Sequence, residues 1–115
     1  YNRDQDLPGY VLELDSYKLD PPESGTAEGV TIDVYDDGIY LDWTSTRAVA
    51  YVFVKGGPLG GYLYDYTPGA FSGEGLHVPF DGDNTYQISH VTFYFANIFP
   101  ELEIVKTELY EIQID

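Results

Sequence analysis

The turn Asp81-Gly82-Asp83-Asn84 sets three oxygen-bearing side chains within four residues. Such a set can converge on a hard cation at about 2.3 to 2.6 Å. It is not an EF-hand loop, because the glycine and the terminal glutamate fall at the wrong positions. The plain alternative is an ordinary acidic hairpin turn. Further carboxylates lie in or beside turns at Asp36 and Asp37, Asp20 with Glu23, Asp65 and Glu74. The candidate metal ligands are therefore Asp81, Asp83, Asn84, Asp36, Asp37, Glu74 and Asp65, and calcium is the natural ion for an all-oxygen set. Other chemistry finds less support. His77 and His90 form no His-x-His or His-Glu-x-x-His pattern that would prepare a zinc or copper site, and both read as structural. No serine sits in a nucleophile-elbow sequence, Ser89 beside His90 included. Paired carboxylates for glycoside hydrolysis need a set separation across a cleft, which sequence does not reveal. The expectation is a protein that is not an enzyme.

The elements that must hold these residues are strands. Tyr10, Leu12 and Leu14 alternate with Val11, Glu13 and Asp15; Val30, Ile32 and Val34 alternate with Thr31, Asp33 and Tyr35; Ile39, Leu41 and Trp43 alternate with Tyr40, Asp42 and Thr44. Each pattern describes a half-buried strand with its acids on the wet face. Asp36-Asp37-Gly38 joins the second to the third as a tight hairpin. The run Arg47 to Lys55 is apolar enough for a central strand covered on both sides. Tyr86 to Phe95 puts Ile88, His90, Thr92 and Tyr94 on one face and Val91, Phe93 and Phe95 on the other. Leu102 to Ile114 reads as one bent strand or two; helical spacing of Leu102, Val105, Leu109 and Ile112 competes, but the β-branched residues favour strand. About eight or nine short strands without a helix predict an all-β, single-domain β-sandwich or jelly roll over residues 10–115, preceded by an N-terminal arm, residues 1–9.

Twelve tyrosines and six phenylalanines exceed what one small core needs. Tyr62, Tyr64 and Tyr66 share one strand face. They can stack across strands, form a subunit contact, or offer flat rings to a sugar.

Composition narrows the partners. Twenty Asp plus Glu against five Lys plus Arg give a formal charge of −15, which solvent, salt or bound cations must offset. Nucleic acid, which demands clustered cations, is an unlikely partner, and so is an anionic membrane surface. No run of about 18 apolar residues offers a membrane span. Cysteine and methionine are absent and Asn and Gln number three each, a depletion that fits exposure outside the cell or work at high temperature. Only three lysines is unusual for a hot-adapted protein; a high-salt or calcium-rich setting accounts for the composition equally well. A start at Tyr1 rather than Met fits a processed, secreted chain.

The blocks Val54-Lys55-Gly56-Gly57-Pro58, Tyr62-Leu63-Tyr64, Gly75-Leu76-His77-Val78-Pro79 and Tyr86-Gln87-Ile88-Ser89-His90-Val91-Thr92-Phe93 look like a pattern of β-rich domains in secreted bacterial and archaeal surface proteins. With its acidity and lack of cysteine, the whole chain resembles the cannula proteins of hyperthermophilic archaea. That resemblance implies extracellular tubes built with calcium and strands exchanged between neighbours. Edge-strand physics points the same way: an edge that lacks a partner can be filled by a strand from another chain, and head-to-tail contacts propagate into filaments or tubes. The expected donor is the arm Tyr1 to Pro8 with the strand Tyr10 to Asp15, so the candidate subunit contacts are Tyr1, Leu7, Tyr10, Leu12, Leu14, Tyr62, Tyr64 and Tyr66. The alternative is a secreted carbohydrate-binding module that takes polysaccharide on the tyrosine strip, with calcium as a structural staple. A third is a plain acidic surface domain of a larger adhesin.

Overall fold

The computed structural model describes residues 2–3 and 9–96. The expected strand Leu102–Ile114 and the arm residues Tyr1 and Leu7 lie outside the described residues. The elements are β1 (Asn2–Arg3), α1 (Gly9–Leu12), β2 (Ser16–Leu19), β3 (Gly25–Ala27), β4 (Val30–Tyr35), β5 (Tyr40–Lys55), β6 (Gly61–Leu76) and β7 (His90–Phe95). Among the described residues the chain is all-β apart from the helical turn α1, and the strands form one antiparallel sheet.

The sheet is built on the long hairpin β5–β6, each strand 16 residues long. Along β5, β6 holds one edge, while β4 and β7 divide the other. Val30↔Ser45 through Tyr35↔Tyr40 pair the first half, and Val49↔Phe95 through Lys55↔His90 pair the second. β3 extends the first half beyond β4, and β2 extends the second beyond β7. Between the halves the β5–β6 register slips, from Thr44↔Ser72 to Val49↔Ala70 and then to Tyr51↔Asp65. Extra residues on first one strand and then the other bend a ladder and increase its twist. Pro68, which has no N–H to give, lies in the stretch of β6 that these slips leave without a β5 partner. Arg47 braces the bend, its guanidinium 3.9 Å from the Phe95 ring centroid and 3.4 Å from Asp15 Oδ2.

The bend curls the sheet so that both halves face one core. Val30, Ile32, Leu41 and Trp43 of the first half pack with Val52, Val54, Val91, Phe93 and Phe95 of the second. The segment 87–89 clasps the two ends of β5 together: Ile88 N donates to Gly38 O at 2.9 Å and Ser89 N to Lys55 O at 2.7 Å. A smaller cluster of Val11, Ala50, Tyr51, Phe53, Leu63 and Tyr94 lies on the outward side of the second half.

Several expectations hold. Asp36-Asp37-Gly38 is a tight hairpin with φ of 54°, 59° and 86°, closed by Ile39 N donating to Asp36 O. The run Val49–Val54 is wholly buried and lies between β6 and β7. Others are corrected. The segments read as separate strands, Ile39–Thr44 and Arg47–Lys55, are one strand, because Ser45 and Thr46 contain no breaker and Thr46 N finds Gly29 O at 2.9 Å. Seven strands appear among the described residues, and the one or two expected over 102–114 lie outside them. The predicted strand Tyr10–Asp15 is instead the helical turn α1, continued by Leu14 N donating to Val11 O at 3.1 Å. That turn brings Val11 and Leu14, three residues apart, to the same cluster, whereas strand alternation would put them on opposite faces. Ile88 also lies in the main core rather than on the His90 side, because 87–89 is a crossing segment and not an extension of β7.

Candidate functional site

The first half presents an outward face of two cross-strand rows. Thr31, Thr44 and Ser72 form one, and Asp33, Asp42 and Glu74 the other, flanking a shallow groove of about 280 Å³. Asp33 and Asp42 stand directly opposite in register, a like-charge arrangement that opposes pairing. Asp42 Oδ1 accepts from Tyr35 Oη at 3.1 Å and from Gly75 N at 2.8 Å. The Tyr35 phenol is raised above its ordinary pKa, first by desolvation, then by its bond to Asp42 and the negative charge of Asp42, Asp36 and Glu74. Two of the candidate ligands, Asp36 and Glu74, are thus gathered around Tyr35. The alternations of β4 and the start of β5 announce this face in the sequence; Ser72 was not among the expected site residues, and Glu74 was expected in or beside a turn rather than on a strand face.

The remaining candidates are dispersed. Asp81 and Asn84 close their own turn through reciprocal backbone bonds of 3.0 and 2.8 Å, and with Asp83 they are exposed. Asp37 gives its carbonyl to Gln87 Nε2 at 2.7 Å. Asp65 accepts from Thr67 Oγ1 at 2.6 Å and Thr67 N at 2.9 Å, which holds its carboxyl below the usual range. Among the described residues no three His, Asp or Glu side chains converge as a metal centre. The described residues of one chain do not by themselves bring together the calcium site that the resemblance implies.

The tyrosine strip is engaged internally. Tyr62 and Tyr64 are half-buried against the main core. Tyr62 meets the His77 ring edge-on at 5.7 Å, and Tyr64 Oη bridges the His77 backbone, donating to its O and accepting from its N at 3.0 Å each. Tyr66 meets Trp43 edge-on at 5.2 Å. Trp43 Nε1 reaches no acceptor in hydrogen-bonding geometry, yet its N–H offsets part of the upward shift that burial imposes on the Tyr66 phenol. His77 stacks on Phe80 at 4.2 Å.

On the side of the second half that also carries the smaller buried cluster, Lys55 lies opposite His90 in register and Lys18 opposite the buried Thr92 on the next strand. The His90 pKa is lowered, by burial first and then by the charges of Lys18 and Lys55, with Asp20 pulling the other way. The unfolded chain therefore binds this proton more readily than the folded one. Stability from this group is present above about 6.5, the ordinary imidazole value, and is lost as pH falls toward the lowered folded value. Urea midpoints measured between about pH 7.5 and 5 should fall more steeply for the natural chain than for His90→Gln; identical slopes would refute this role.

The N-terminal arm reaches the sheet edge. Asn2 and Arg3 pair antiparallel with Leu63 and Tyr62 of β6. Among the described residues no strand pairs with the outer edge of β6 from Thr67 to Leu76, and Phe71 within it is 58% exposed. No helix among the described residues is long and apolar enough to cross a membrane. In comparison with known proteins, the chain matches no family model, no curated protein sequence and no solved structure.

Proposed function

We propose that this chain is a structural subunit of an extracellular filament or tube of the cannula type, whose copies join by β-strand addition, and that it is not an enzyme. The observation that carries the reading is the edge of β6, a 16-residue strand that β1 covers only at Tyr62 and Leu63. A long edge is a template for a strand from another copy. The arm that reaches this edge within the chain is the donor between chains. In this reading the chain is a single-domain β-sandwich or jelly roll of about eight or nine strands. A charge of −15 makes copies repel, so assembly needs cations. Calcium enters only as an ion shared by carboxylates of two copies. The internal packing of Tyr62 and Tyr64 counts against the strip as a polysaccharide platform and equally against it as a subunit contact.

Negative-stain electron microscopy with and without millimolar calcium, with a chelator control, tests this. Ordered polymers that appear with calcium are expected. Deletion of residues 1–9 should leave a folded monomer that does not polymerise. Normal polymers from the truncated chain would refute the donor role, and single particles in every condition, with monomer retained on insoluble polysaccharide, would overturn the reading itself.

A further inference from the structure

We infer that residues 102–114 of the same chain seat as a further strand in the mouth of the curled sheet, between the outer edges of β2 and β3, with their apolar face against Tyr17, Leu19, Val30 and Ile32. The inference concerns one copy and does not depend on assembly.

The mouth is an apolar groove between two open edges. Among the described residues β2 pairs with β7 alone and β3 with β4 alone, so each leaves one edge unpaired. Both strands line a groove of about 210 Å³, with Tyr17 and Leu19 on one side and Val30 and Ile32 of the main core on the other. An open edge calls for backbone partners, and apolar walls call for apolar side chains. The loop between β2 and β3 bounds the groove at the end away from the bend.

The described chain ends at the opposite end of this groove. Phe95 N donates to Asp15 O, just before β2, and Ala96 N donates to Ala48 O, each at 2.9 Å. Two residues back along β5, Thr46 N donates to Gly29 O in the turn that follows β3. Ala96 therefore stands at the bend, close to the start of β2 and to the end of β3. Residues 97–101 can extend about 16 Å, enough to cross one strand and enter the mouth. A strand that enters there runs toward the loop, antiparallel to β3, which is the more stable of the two pairing geometries.

The segment has the side chains that this place requires. Leu102, Ile104, Tyr110, Ile112 and Ile114 are all at even positions, whereas the odd positions are Glu103, Val105, Thr107, Leu109, Glu111 and Gln113. Such alternation needs one covered face and one wet face. The open edge of β6 does not supply the cover: along residues 67–75 Phe71 is the one large apolar side chain, and it is itself 58% exposed. The mouth supplies four apolar side chains that already belong to the core or pack against it.

The test uses the full chain in calcium-free solution. Thr107 is at a polar, odd position and the chain has no cysteine, so Thr107→Cys takes a single nitroxide label. Amide NMR signals are compared with the label oxidised and reduced. The oxidised label should remove most of the Leu19 and Thr26 signals and weaken those of Phe71 and Ser72 far less. A stronger loss at Phe71 and Ser72, or no loss confined to one part of the sheet, would overturn the inference. In a mixture of isotope-labelled natural chain with nitroxide-labelled chain at natural isotope abundance, Leu19 and Thr26 should keep their signals. Their loss there would show that the strand comes from a second copy, which also overturns seating within one chain.

Discussion

Trp43→Ala is expected to destabilise the protein by about 3 to 5 kcal/mol. Domains of ordinary size have only about 5 to 15 kcal/mol in total, so the variant should be largely unfolded at modest urea concentrations. Trp43 is 2% exposed, and its ring joins the two halves of the sheet, edge-on to Tyr66 at 5.2 Å and to Phe93 at 5.7 Å. Removing it opens a cavity at the junction that a curled sheet cannot close without flattening. Trp43→Phe keeps much of the volume and removes an indole N–H that lacks an acceptor in hydrogen-bonding geometry, so it should cost less than about 1.5 kcal/mol. Urea titration followed by circular dichroism measures both variants, since Trp43 is the only tryptophan and each variant loses its fluorescence. Equal losses for Ala and Phe would show that the indole N–H, and not ring volume, is what the site requires.

Gly56→Ala is expected to cost about 3 kcal/mol, the upper end of what overpacking does. Gly56 is buried at the end of β5, and a Cβ there would run into the Gln87 carbonyl oxygen and lie 2.9 Å from Ser89 N. Both neighbours are backbone atoms of the clasp that ties Gly38 to Lys55, so neither can swing aside as a flexible side chain would. The clasp must lift, and Ile88 loses its place in the core. Thermal unfolding of Gly56→Ala beside Gly75→Ala separates this contact from a general loss of glycine. At Gly75 a Cβ meets nothing within 4 Å, although its φ of 70° is itself unfavourable for alanine. A smaller loss at Gly56 than at Gly75 would refute the clash.

What was legible in the sequence follows from how local each decision is. The Asp36-Asp37-Gly38 hairpin and the alternation on either side of it depend on adjacent residues, and they placed Thr31, Asp33, Asp42 and Thr44 on one wet face. The burial of Val49–Val54 on both sides is likewise declared by a run of apolar residues. The bend was not legible, because it comes from register slips between β5 and β6, and each strand alone gives no sign of its partner's extra residues. That bend is also what brings Trp43 against Phe93. The helical turn at Gly9–Leu12 escaped for a related reason: a run of Tyr10 to Leu14 can alternate as a strand or turn as a helix, and the burial of Val11 against Tyr51, Phe53 and Leu63 chooses. The acidic turns were visible as acids, but their positions relative to one another depend on strand pairing. Pairing of β6 with the first half of β5 places Glu74 near Tyr35, whose neighbour is Asp36, and leaves Asp81, Asp83 and Asp65 elsewhere.

The sharing of β5 by both halves has a consequence for how the molecule comes apart and together. One strand carries the inner residues of both half-sheets, so neither half has a private set of contacts that would survive the loss of the other. Opening is therefore expected to be a single cooperative event rather than a peeling of layers. The clasp joins Ile88 to Gly38 and Ser89 to Lys55, partners distant along the chain. Closures of that span carry a large loop entropy before they return any contact energy, which places folding among the slower, millisecond-to-second class typical of non-local β proteins.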